Sequence, residues 1–364
     1  MIYIIKKMFN IYGNYVEIYP KLRGVEHIFN QTNIPIEYPS DTDIIKSLEY
    51  AGSIHKEVRR FLQQHLKPGI KLIDIAKLIE IKTIELSNQD KSINNGIGFP
   101  VGIAINECVS HWHPSSSNKT ILNKEDVMKI DFGTEANGWI IDSAFTICFN
   151  RKYDNLIDAV KEATYYGINN IGVDVNIGEW GKEIQEVMES YEITLDGKTH
   201  PIKSISNIGG HNITKGIIHG GLFLPIVDLR KQFKNNRFIE GVYAVETFGS
   251  TKDNYAYEES EIKLIKDTNP DSTLYRINPY KKSNLNYNSE SAKLFNYIKK
   301  RFDTLPFTNR YIESNENVLK NLSDNNYLYS YSPLYVKQGY TAQYEHTLYI
   351  GENKKIIFSN GEDY

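Results

Sequence analysis

The alternation of apolar and polar positions divides the chain into helices and strands in a definite order. Ile44, Ile45, Leu48, Ala51, Ile54, Val58, Phe61 and Leu62 recur at helical spacing and predict an amphipathic helix. Ser40, followed by Asp41 and Asp43, supplies an N-cap and an acidic first turn, and Pro68-Gly69 ends the helix. Leu72, Ile75, Ala76, Ile79 and Leu86 predict a second helix. The period then changes from 3.6 to two. VMKIDFG at 127–133 alternates, Asn137-Gly138 supplies a turn, and WIIDSAFTICF resumes as a strand. That pattern predicts an antiparallel hairpin.

The order then recurs. DNLIDAVKEATYYGINN at 154–170 predicts a helix broken by Gly172, EWGKEIQEVMESY a second one, and strands follow around 242–248 and 341–350. Two helices followed by antiparallel strands, twice over, predict a duplicated α+β architecture. Residues 1–40 show no clear period and form a separate N-terminal segment ahead of a domain over 41–364. Between 266 and 330 the chain turns polar and rich in Asn, Lys and Tyr. SAKLFNYIKKRF nevertheless gives Leu294, Phe295, Ile298 and Phe302 one apolar face, which predicts a small inserted helical subdomain.

Composition narrows the function class. The 364 residues can bury a substantial core, and a net charge of -3 gives no global attraction to nucleic acid or anionic membrane. Two cysteines, Cys108 and Cys148, make no disulfide framework and point to a reducing compartment. Lys6 and Lys7 interrupt the apolar start, and no stretch approaches the length of a membrane span. A soluble cytoplasmic protein is the expectation.

Several acids stand where strands would be buried. Asp131 in KIDFG and Asp142 in WIIDSAF lie in otherwise apolar runs, although aspartate is disfavoured in strands and costly to bury ionised. Each alone would suit a solvent-facing sheet edge. On two arms of one hairpin they can approach each other, and then repel unless a cation lies between them. NIGGHNITKGIIHGG crowds His211 and His219 with glycines, which implies backbone packed close to something. Imidazole is the commonest metal ligand. GVYAVETFGS places Glu246 in an apolar strand and YTAQYEHTLYI does the same for Glu345. Four acids and one imidazole make an oxygen-rich site for two divalent ions of the Mn, Fe or Co kind, unlike a thiolate-rich structural zinc site.

The ordered set Asp131, Asp142, His211, Glu246 and Glu345 resembles the metal set of the pita-bread peptidases. GIGFPVGIAINECVSHWHP, KIDFG, IIDSAFT, IGGHNI, IHGG, YAVETFGST, YTAQYEHT and the closing GEDY are similar to the type 2 methionine aminopeptidases, in register from about residue 40 to Tyr364. The resemblance implies an α+β pita-bread fold with two pseudo-symmetric halves, antiparallel sheet covered by helices and a small helical insertion. It implies a metallo-aminopeptidase that removes initiator methionine when the second residue is small, through attack by a hydroxide held between two divalent ions (Co, Mn, Fe or Zn). Asp131 would chelate one metal, Asp142 and Glu345 bridge both, and His211 and Glu246 complete the other, with Glu246 also carrying the proton. His111 corresponds to the substrate-contacting histidine that epoxide inhibitors of the family attack. His219 corresponds to the one that hydrogen-bonds the scissile peptide.

Phe99 matches the aromatic wall of the methionine pocket and Tyr331 a tyrosine near the site, and Ile218 is counted among the substrate-binding residues. Leu264 stands where relatives usually carry a pocket histidine, and His113 is read as a surface residue. The long charged N-terminal extension of many eukaryotic relatives is missing from this sequence, so ribosome association by that route has no support. The expected partners are methionine-initiated peptides of nascent proteins, with no nucleic acid or membrane, and a monomer. Two other readings stay in view: a Xaa-Pro hydrolase of the same fold, which shares the metal set, and a non-catalytic member that binds RNA or protein. The type 2 flanking words and the insertion count against the first, and the retained ligands against the second.

Overall fold

A computed structural model describes residues 43–87, 95–258, 261, 273–312 and 314–362. Ser40, Leu264, the segment 1–40 and the last two residues of GEDY fall outside that set. Helix α1 spans Ile44–His65 and is capped by Asp43, whose carboxylate accepts from the Lys46 N–H at 3.2 Å. The cap is therefore a residue placed in the first turn by the sequence reading. Pro68-Gly69 turns the chain, with Gly69 at φ +97°, and helix α2 follows over Leu72–Leu86.

Three strands complete the first half: β1 (Asn95–Ile105), β2 (Met128–Ala136) and β3 (Trp139–Ile147), in the order β1-β2-β3. The β2–β3 turn is Asn137-Gly138 with φ of +53° and +85°, the left-handed pair a tight two-residue hairpin demands. Strand β1 has no counterpart in the sequence reading. Pro100 and three glycines disguise it, and its pairing with β2 is interrupted by register shifts between Ile97 and Phe99 and between Phe99 and Gly102. Those irregularities bring the Phe99 ring down on Gly133, where a Cβ would sit 2.2 Å from the ring. Helix α1 packs across β2 and β3, with buried His55 stacked on Phe132 at 3.9 Å.

The second half repeats the plan. Helices α3 (Asp154–Asn170) and α4 (Ile177–Glu189) precede strands β4 (Gly210–Ile213) and β5 (Gly241–Ser250). An insertion follows, carrying β6 (Leu274–Ile277), α5 (Glu290–Phe302), α6 (Glu316–Asp324) and β7 (Leu328–Tyr331). The chain returns through β8 (Thr341–Gly351) and β9 (Lys354–Ile357). The sheet runs β9-β8-β5-β4 to Phe223–Leu224, and α3 packs on β5 and β8 as α1 packs on β2 and β3.

Hydroxyls join the two half-sheets. Where β3 meets β8, Ser143 Oγ donates to the Glu345 carbonyl at 2.7 Å and Thr146 Oγ1 to the Gln343 carbonyl at 2.7 Å. Thr347 Oγ1 accepts from the Asp142 N–H at 2.7 Å. All three residues are buried, so short side chains satisfy backbone groups that a ladder would otherwise pair. The seam sets Asp142 beside Glu345.

The insertion is mixed: β6 pairs with β7 and with Phe307–Thr308, and α5 and α6 pack beside them. Its core of Phe295, Ile298, Phe302, Phe307, Leu319 and Leu322 is separate from the main one. A buried ion pair fastens it to α2. Arg310 grips both carboxylate oxygens of Glu80, and Tyr311 donates to Glu80 at 2.7 Å. Truncating Arg310 to alanine leaves Glu80 buried without its cation, and should cost about 3–5 kcal/mol. Urea unfolding of Arg310→Ala checks it, and an unchanged midpoint would show the clamp to be idle.

No helix among the described residues is long and apolar enough to cross a membrane. Both cysteines are free thiols.

Candidate metal centre and substrate pocket

A cavity of about 360 Å³ opens at the seam. Five strands send one side chain each into it: Asp131 from β2, Asp142 from β3, His211 from β4, Glu246 from β5 and Glu345 from β8. Register explains the convergence. Asp131 pairs with Ala144 and Asp142 with Gly133, so the two aspartates are diagonal neighbours on one face. Glu246 lies directly opposite Glu345, and His211, opposite Ala244, is diagonal to Glu246.

The distances are short. His211 Nε2 is 3.4 Å from Asp142 Oδ2 and 3.8 Å from Glu246 Oε1. Its Nδ1 lies 3.3 Å from the Asn212 carbonyl, which holds the ring so that Nε2 faces the acids. Donor atoms of Asp142, His211 and Glu345 all lie within 4.8 Å of one another. The Gln343 amide, two residues before Glu345 on the same strand face, reaches Asp131 at 3.3 Å and Glu246 at 3.4 Å.

Protein groups compensate the acids only in part. Neither oxygen of Glu345, nor Asp131 Oδ1, has a hydrogen-bond partner, although all three atoms are buried. Two like charges 4 Å apart repel by about 4 kcal/mol at an effective dielectric of about 20. Burial, then the neighbouring Asp142, therefore hold Asp131, Glu246 and Glu345 well above the ordinary carboxylate range. A native fold does not keep such a set without a partner, and cations are the partner that its oxygen-rich chemistry fits.

Beside the acids stands an aromatic wall. His111, His219, Phe99, Ile218 and Tyr331 all line the same cavity. Tyr331 meets the edges of both imidazoles, at 5.8 Å for His111 and 5.4 Å for His219, and His219 meets His211 at 4.4 Å. His111 is held at φ +62°, a strained conformation for a residue with a Cβ. Desolvation lowers its imidazole to about 4 against an opposing bond to the Ser332 backbone, and desolvation also puts His219 well below its usual range. Both rings are neutral near pH 7, each with one donor and one acceptor nitrogen.

Two features depart from the sequence reading. His113 is buried and lines the cavity, with Nδ1 3.2 Å from the His111 carbonyl, so it is not a surface residue. The insertion supplies wall residues not singled out before, Leu274 and Pro306. The signal for Gln343 was available, since it shares the two-residue period of Glu345.

Residues 46–237 match metallopeptidase family M24. Methionine aminopeptidase 2 of Verticillium alfalfae is 42% identical over 337 residues, covering 89% of this chain and 73% of that protein. The chain belongs to the type 2 methionine aminopeptidases of metallopeptidase family M24. Among solved structures, a thermophilic Arx1 aligns with a TM-score of 0.70 at 17% identity, covering 89% of this chain and 92% of that one. Methionine aminopeptidase from Rickettsia prowazekii aligns at 0.56 and 17% identity, covering 89% and 100%. At those identities the structures speak for the fold: the pita-bread arrangement of two halves, as expected. As a type 2 methionine aminopeptidase of this family, the chain is a divalent-metal-dependent hydrolase, and the unpartnered oxygens of Glu345 and Asp131 fit a metal.

Proposed function

We propose that this protein removes N-terminal methionine from peptides whose second residue is small, using two divalent ions held by Asp131, Asp142, His211, Glu246 and Glu345. The observation that carries the reading is the convergence of those donors from five strands beside a pair of neutral histidines. When bound, such ions polarise the scissile carbonyl and bring the pKa of water towards neutrality.

The chain's own residues do the rest. Phe99 and Ile218 form an apolar wall that takes the methionine side chain, and their burial keeps water from it. His219 donates from its neutral ring to the scissile peptide, and His111 contacts the substrate alongside it. Glu246, whose carboxylate burial raises, carries the proton to the leaving amine. Leu264 belongs to the methionine pocket in this reading and lies outside the described residues. The work is placed in the cytoplasm, on nascent chains, by a monomer that needs neither nucleic acid nor membrane.

Peptides differing only at the second residue test the proposal. His111, His219 and Tyr331 crowd one wall of the cavity, so a β-branched side chain next to the scissile bond meets strain. Met-Ala-Ser should turn over at least about a hundredfold faster than Met-Ile-Ser, a difference of roughly 2.7 kcal/mol in the transition state. Equal rates, or faster release from an Ala-Pro peptide, would refute the assignment.

A further inference from the structure

We propose that Arg276 is a positioning residue for this site: its guanidinium holds the Tyr331 hydroxyl, and Tyr331 in turn sets the orientation of His111 and His219. The inference rests on the proposed aminopeptidase reading for its consequence, though not for its geometry.

Arg276 lies on β6 of the insertion, paired with Tyr329, while Leu274 on the same strand pairs with Tyr331. Side chains two apart on a strand share a face, so Arg276 and Leu274 point the same way. Leu274 and Tyr331 both line the cavity. Arg276 is thus one step behind the cavity wall. It is 6% exposed, lies over the Tyr329 ring at 5.2 Å, and donates from Nη2 to the Tyr331 hydroxyl at 3.4 Å. Its Nε and Nη1 are buried and have no hydrogen-bond partner.

A guanidinium with most of its donors unsatisfied is a poor way to fill the interior of a small subdomain; an apolar residue of the same size would pack at lower cost. Besides lying over Tyr329 and adding its charge to the surroundings of His219, this cation holds one hydroxyl, that of Tyr331. The Tyr331 ring is the only described ring packed against both His111 and His219, and His219 packs on His211. A continuous set of contacts therefore runs from the insertion, through Arg276 and Tyr331, to the two substrate-facing histidines. Freed from Arg276, the tyrosine ring can turn about its side-chain bonds, and the imidazoles lose the edge contact that orients them. Misorientation of hydrogen-bonding groups by a fraction of an ångström lowers the rate of the chemical step more than it lowers binding.

The test uses the zinc-loaded protein, Arg276→Met, Arg276→Lys, Tyr331→Phe and the double variant Arg276→Met with Tyr331→Phe. Each of the first and third should lower kcat on Met-Ala-Ser by about tenfold, roughly 1.4 kcal/mol, with KM changed by less than about twofold. The double variant should be no slower than either single one, because both remove the same contact. Arg276→Lys, which keeps a cation within reach of the hydroxyl, should recover part of kcat. The imidazole proton–carbon resonances of His111 and His219 should shift together in Arg276→Met and Tyr331→Phe. Effects that multiply to about a hundredfold in the double variant, or histidine resonances unmoved by Arg276→Met, overturn the inference. Tyr331→Phe removes one oxygen, so it reports on the contact even if Arg276→Met folds poorly. A wild-type protein that releases no methionine would sink the aminopeptidase reading, while the ring resonances still judge Arg276.

Discussion

Glu345→Gln should empty the site of metal and lower turnover of a Met-Ala peptide by at least about a thousandfold, some 4 kcal/mol of transition-state stabilisation. Both Glu345 oxygens are buried and unpaired, and Glu246 lies directly opposite on the neighbouring strand. Glutamine keeps the size of the side chain and leaves the Ser143 bond to the residue 345 carbonyl in place, so the seam between the halves survives. What it removes is the negative charge that offsets a divalent ion. The same change has the opposite effect on the metal-free protein. Burial raises the Glu345 carboxyl above its ordinary value, so the folded state binds a proton that the unfolded state has released. Stability from such a group is complete below the ordinary carboxylate pKa and is lost as pH rises through the raised value. Asp131 and Glu246 are raised in the same sense, and Glu135, pushed up to about 8, adds to it. Chelator-treated wild type should therefore melt at a lower temperature at pH 8 than at pH 5, and metal-free Glu345→Gln should lose less over that interval. Metal analysis, peptide assay and melting curves at the two pH values read all three outcomes. A variant that keeps two tightly held ions and normal turnover would remove Glu345 from the metal set.

How much of this was legible in the sequence depends on whether a residue's role is written locally. The hairpin carrying Asp131 and Asp142 was, because alternation on both arms and Asn137-Gly138 between them specify strands, turn and register together. The strands around Glu246 and Glu345 were legible for the same reason: apolar runs of strand length with one acid each. Strand β1 was not, since Pro100 and its glycines read as loop, and only pairing with β2 makes them a strand. The hydroxyl seam was also out of reach. Ser143, Thr146 and Thr347 look like ordinary strand residues until the two halves are docked. His113 illustrates the limit most directly: it sits among Trp112, Pro114 and serines, with no period to assign it a side. Tertiary contact buries it at the cavity wall. The insertion was half legible, as α5 has a clear apolar face, whereas its two- to four-residue strands are too short for a period to register.

His219→Ala should lower kcat/KM for Met-Ala-Ser by about a hundred- to a thousandfold, roughly 2.7–4 kcal/mol, while both metal equivalents stay bound. The ring stacks edge-on against His211 at 4.4 Å and against Tyr331 at 5.4 Å, so it stands between the proposed metal ligands and the aromatic wall of the cavity. In the proposed mechanism a residue in that position acts on the substrate. Its imidazole is held well below its usual range, first by desolvation and then by its neighbours His211, His111 and Arg276, which disfavour a second positive charge beside them. It therefore remains a neutral N–H donor far into acid, and no limb of the pH–rate profile near the ordinary histidine value of about 6.5 should belong to it. Hydrogen bonding is what alanine removes, and glutamine, whose amide can place a donor near the Nε2 position, should recover more activity than alanine does. The deciding measurements are kcat/KM from pH 5.5 to 8 and metal content of the same preparations. Loss of one metal equivalent in His219→Ala would make this histidine a ligand, and a wild-type rate that falls with a single pKa near 6.5 and loses that step in the variant would make it a titrating base instead of a neutral donor.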